Sequence, residues 1–165
     1  MTSKFLSTII FTLAILIACN DSKTSNHTEN EQSFDATQIQ DSLKAIIHIV
    51  FDNSETTNLS VALSPFLTDS SFLFISNAQR FNYYELKKSE EEYFATLQKQ
   101  SFDFPFQNFK VIDKDNSIAT LIGTMKSTLK NGEVQKSKIA ETIIFRRINN
   151  IWKIVGGHES TSPIN

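Results

Sequence analysis

Cys19 is the only cysteine in this 165-residue chain, and it directly follows the run Leu16-Ile17-Ala18. A single thiol cannot close an internal disulfide, so core packing must hold the fold. Lys4 precedes an apolar stretch from Phe5 to Ile17 that has export length and is short for a membrane-spanning helix. The other side chains able to do chemistry are scattered. His27, His48 and His158 are far apart, and no cysteine and histidine cluster accompanies them, so no metal is expected. No phosphate loop, dinucleotide fingerprint or nucleophile elbow is present, and no cofactor is expected. His158 follows Gly156-Gly157, where a strand end without side chains lets a polar ligand approach. Tyr83, Tyr84 and Arg146 are further polar candidates. A convergent acid, base and oxyanion set is not legible.

Asn20 to Ser33 contains no aliphatic or aromatic residue and reads as a flexible tether, since it has little apolar surface to offset the entropy of ordering. His27 falls in it and reads as solvated. From Phe34 the pattern changes, and the remaining length suits one domain. Asp35 with Gln38 resembles a capping box, and Phe34 is placed to staple onto Ile39. Ile39, Leu43, Ile46, Ile47, Val50 and Phe51 then recur on one helical face, with His48 off the stripe. Leu59 to Leu67 reads as a shorter helix or turn interrupted by Pro65. Ser71 to Ser76 reads as a first strand, and Phe81, Tyr83 and Tyr84 as a second strand or a cavity rim. Ser89 with Glu92 marks another capped helix, whose positive end Glu90, Glu91 and Glu92 suit.

The second half alternates. Phe102, Phe104 and Phe106 precede a turn at Asp113 to Asn116, then a strand from Ser117 to Leu129. Asn131-Gly132 is a hairpin signal leading into Val134 to Ile148, and Asn149-Asn150 turns into Ile151 to His158. These elements make an α+β domain: a curved antiparallel sheet packed against about three helices. Period two puts Ile139, Glu141, Ile143 and Phe145 on one face, and Ala140, Thr142, Ile144 and Arg146 on the other. It also puts Trp152, Ile154, Gly156, His158 and Ser160 together, provided that no bulge intervenes.

The element order and the ending Trp152-Lys153-Ile154-Val155-Gly156-Gly157-His158-Glu159-Ser160 resemble the SnoaL-like and ketosteroid-isomerase-like superfamily, which shares the nuclear-transport-factor-two cone. That resemblance spans residues 34–160, leaving 161–165 as a short tail, and implies a cone with an internal pocket that often forms a homodimer through its sheet. Phe74, Phe94, Phe104, Trp152 and Ile154 are candidates to line such a pocket, although aromatic residues at these periods are ordinarily core. His158, Tyr83, Tyr84 and Arg146 are its candidate polar residues. The isomerase branch implies an acidic base with a tyrosine and a protonated acid, a set that cannot be placed residue by residue here.

The amino terminus resembles a bacterial lipoprotein signal, which implies cleavage after residue 18, a tether over residues 19–33 and a lipid on Cys19. The expected location is therefore the cell envelope, with a lipid anchor in one of its membranes. Sixteen Lys and Arg against eighteen Asp and Glu, a net charge of −2, leave no basic footprint for nucleic acid. The expected function is a tethered module binding a small, partly apolar ligand or a protein. The alternative is an acid-base isomerase, cyclase or dehydratase acting on a small carbonyl compound.

Overall fold

Helix α1 (Ala36–Glu55) begins where the Asp35 carboxylate accepts hydrogen bonds from the backbone N–H groups of Thr37 and Gln38, at 3.0 and 3.1 Å. Its stripe buries Ile39, Leu43 and Ile47, while Phe34 stays exposed. The computed structural model describes residues 34–164, so Cys19 and the expected leader and tether lie outside the described residues. A single-turn helix α2 (Leu59–Ala62) and the hairpin β1 (Leu73–Ser76) and β2 (Gln79–Phe81) follow. Next come helix α3 (Tyr83–Thr96) and four long strands: β3 (Leu97–Val111), β4 (Asn116–Leu129), β5 (Val134–Ile148) and β6 (Ile151–Pro163).

The strands form one curved, unclosed sheet in the order β2-β1-β6-β5-β4-β3, with the helices packed against it. This is the α+β architecture expected from the sequence. All neighbours are antiparallel except β1 and β6, which run parallel. Asn149 and Asn150 adopt φ of 50° and 64°, the left-handed pair that a two-residue hairpin requires, and Gly132 takes φ of 89° in the preceding turn. Phe145, Leu43, Leu121 and Ile154 are fully buried where α1 crosses the inner face. β6 continues past Ser160 to Pro163, paired with Ser137 of β5.

Two local features differ from the sequence reading. The first is the start of α3. Asn82, not Ser89, caps it: the Asn82 side chain accepts from the N–H groups of Tyr84 and Glu85, and Glu85 accepts from the N–H of Asn82 at 2.8 Å. Both positions carry a cap signature, and the earlier start wins because it buries Leu86. Tyr83 and Tyr84 therefore open a helix, and Glu90 belongs to its body.

The second is a bulge in β6. Ile144 pairs with Gly156 but Phe145 pairs with Ile154, so Val155 is the extra residue. The bulge is held from the other side, because Ile154 donates its N–H to Pro65 and its carbonyl accepts from the N–H of Leu67, at 3.0 and 2.8 Å. Two residues on, Leu73 comes into register with Gly156. A Cβ on Gly156 would lie 2.2 Å from the Leu73 carbonyl oxygen, so only glycine admits β1 at that distance.

Candidate functional site

The bulge sets which side chains of β6 face the helices. Before it, Trp152 and Ile154 share the inner face with Arg147 and Phe145; after it, the inner face passes to Gly157, Glu159 and Thr161. His158 pairs with Thr142 on the outer face and is exposed. The same parity puts Glu141 between Ile139 and Ile143 on the inner face of β5, directly opposite Glu159.

Between these strands and the helices lies a cavity of about 440 Å³. α3 lines it with Leu86, Ser89, Glu90, Tyr93 and Phe94, whose spacing of three and four residues marks one helical face. The last turns of α1 contribute Val50, Phe51 and Ser54, and the α2 region contributes Leu59 and Leu63. From the sheet come Phe74, Gln100, Phe102, Met125, Glu141 and Glu159.

The carboxy-terminal end of α1 is pinned to β3, which fixes one wall. Gln100 donates from Nε2 to the Ser54 carbonyl at 2.9 Å, and Glu55 accepts from the N–H of Phe102 at 2.7 Å. Phe51 meets Phe102 and Phe104 edge-on, with centroids 4.9 and 4.7 Å away. Across the cavity the Tyr93 and Ser127 hydroxyls are 2.7 Å apart.

Three carboxyl groups meet in this hollow. Burial, and then the charges of Glu159 and Glu90, hold the Glu141 carboxyl well above the ordinary value of 4.5. Glu90 is pushed up to about 7, chiefly by burial and further by Glu159. Burial raises Glu159 too, against the hydrogen bond donated by Ser76 at 2.9 Å and the nearby His158. Burial also pushes the Tyr93 hydroxyl up; the Ser127 bond opposes this, and the charges of Glu90 and Glu159 add to it. Among the described residues no group of three His, Cys, Asp or Glu side chains is arranged to hold a metal ion.

Of the residues singled out in the sequence, Phe74 and Phe94 line the cavity. Phe104 lies one layer behind, against Phe51, and Ile154 is fully buried in the core. Trp152 sits under Arg147 at 5.9 Å, beside a smaller hollow with Gln38 and Ile39. The four polar candidates all fall outside the cavity. His158 and Arg146 are on the outer face, Tyr84 is 71% exposed, and Tyr83 packs edge-on against Phe72.

Of the acids that line it instead, the sequence reading places Glu141 on a strand face with Ile139 and Ile143 and Glu90 at a helix entry, and gives neither a role in the site. Glu141 interrupts an otherwise apolar strand face, and Glu90 and Tyr93 follow Leu86 at helical spacing.

The chain belongs to the SnoaL-like domain family, whose profile matches residues 44–165. No curated protein matches it. Solved structures similar to it include a conserved protein from Planctomyces limnophilus (TM-score 0.70, 14% identity, covering 78% of this chain and 99% of that one). Another is a nuclear-transport-factor-2-like protein from Salmonella enterica serovar Typhimurium (TM-score 0.68, 14% identity, 79% and 94% covered). A third is a candidate dehydratase of that superfamily from Streptomyces avermitilis (TM-score 0.68, 15% identity, 79% and 99% covered). At these identities the likeness is one of fold.

Proposed function

We propose that this chain is a lipid-anchored protein of the bacterial cell envelope whose cone domain binds a small, partly apolar molecule. The observation that carries the binding part is the cavity itself. It has the volume of a small-molecule site, and phenylalanine and aliphatic walls surround a few convergent polar groups. Native mass spectrometry of the detergent-solubilised chain tests it: a small molecule should co-purify, and Ser89→Trp should displace it. A chain that carries no ligand, and takes up none from an extract, would overturn the binding claim.

The anchor rests on the context of Cys19, where Ala18 precedes the thiol and an apolar run precedes both. Metabolic labelling with a fatty acid should mark the wild type and leave Cys19→Ser unlabelled. Self-association through the outer sheet face belongs to the same reading, since Phe106, Ile122 and Ile144 are exposed there. Light scattering showing a monomer would remove it.

One observation favours a second reading, an acid-base enzyme acting on a small carbonyl compound. Glu90, at about 7 and on the same helical face as Tyr93, is poised both to take and to give a proton near neutral pH. Fold membership carries no activity with it. Turnover abolished by Glu90→Gln would favour this reading, and turnover indifferent to it would remove Glu90 from the mechanism.

A further inference from the structure

Three elements each send one carboxyl group into the cavity: Glu90 from α3, Glu141 from β5 and Glu159 from β6. Among the described residues no lysine, arginine or histidine lines it. Glu141 is 8% exposed, and among the described residues no hydrogen bond satisfies its carboxyl group. Glu159 accepts one hydrogen bond, from Ser76.

Of the neutral polar groups, Ser89 and Ser137 present hydroxyls to the cavity, while Tyr93 and Gln100 are engaged within the protein. Tyr93 is bonded to Ser127, and the Gln100 amide is committed to Ser54. Among the described residues the acids are therefore the charged recognition groups that a ligand meets there.

We infer that the ligand of this cavity is an organic cation, a protonated amine on a small apolar body, held by Glu141 and Glu159 with Glu90 completing the acidic wall. This deepens the ligand-binding reading and rests on it. A carboxylate removed from water is stable only beside a counter-charge and hydrogen-bond donors, and an ammonium group supplies both. The rings of Phe51, Phe74, Phe94 and Phe102 receive the apolar body and offer π faces to the charge. An anionic ligand meets like charge on three sides. A bare metal ion lacks a coordinating arrangement, since among the described residues no three acidic groups are placed to share one.

The titratable groups lining the cavity are Glu90 and Tyr93 on α3, Glu141 on β5 and Glu159 on β6, with His158 acting on Glu159 from the outer face. α1, α2, β1, β3 and β4 add none. Amine binding requires ionised carboxyl groups, so it strengthens as pH rises through the region near 7 where Glu90 loses its proton, and it releases protons.

The test is calorimetry on the detergent-solubilised full chain with three probes of one shape: phenylbutylamine, phenylbutanol and phenylbutyrate. At about pH 8 the amine should bind about ten-fold or more tighter than the alcohol, and the carboxylate should not bind. Glu141→Gln should bring the amine down to the affinity of the alcohol and leave the alcohol unchanged. Should that variant fail to fold, Glu159→Gln is expected to do the same. An alcohol that binds as tightly as the amine overturns the cation inference and leaves the ligand-binding reading standing. If none of the three binds, both fall.

Discussion

Glu141 and Glu159 stand directly opposite each other in the register of β5 and β6, both on the face that meets the helices. Like charges in directly opposed positions destabilise a sheet, and here they are also removed from water. Such a pair persists because it is held protonated, or because something charged comes to meet it.

Protonation of this pair gives a stability profile with a definite sign. The folded-state values of Glu141, Glu159 and Glu90 are all raised above 4.5. The stability linked to them is fully present below that value and is lost as pH rises through the raised ones, about 7 in the case of Glu90. Without ligand, Tm should fall between about pH 5 and about pH 8, and Glu141→Gln should flatten the decline. Thermal unfolding followed by circular dichroism checks this. A Tm that climbs over the same interval would contradict the environment assigned to Glu141.

Gly156 admits β1 beside the bulge, and a methyl group there meets the Leu73 carbonyl at 2.2 Å. Gly156→Ala should cost about 1–3 kcal/mol in urea unfolding, the range for overpacking against backbone. Hydrogen exchange should show the loss first in β1 and β2.

Ser117 offers an opposite case. Its side chain is fully buried opposite Phe145, and among the described residues its hydroxyl finds no partner. Ser117→Ala removes an unsatisfied polar group with little change of volume, so stability should rise by about 1 kcal/mol. A loss of similar size would mean that the hydroxyl is satisfied in solution.

His158 is exposed on the outer face, away from the cavity. His158→Ala should change stability by less than about 0.5 kcal/mol, as at other surface positions. It should leave the affinity for a cavity ligand within about two-fold. A larger loss of affinity would place the histidine in the site after all.

Much of this molecule can be derived from short stretches of chain. The buried stripe of α1, the turns at Asn131-Gly132 and Asn149-Asn150 and the two faces of β5 all follow from spacings of a few residues or from local backbone preferences. On that basis the sequence alone determined an α+β domain with a curved sheet of long strands, and the resemblance of its ending to the SnoaL-like superfamily implied the cone. What only the tertiary structure decided is where the polar chemistry points. Two cap signatures compete for the start of α3; the helix starts at Asn82 and buries Leu86, and Glu90 lies one turn on along the same face. The extra residue Val155 in β6 exchanged His158 for Glu159 on the inner face. Strand register and the meeting of three acids from α3, β5 and β6 depend on pairing between segments far apart in the chain, and a one-residue slip there reverses every side chain beyond it.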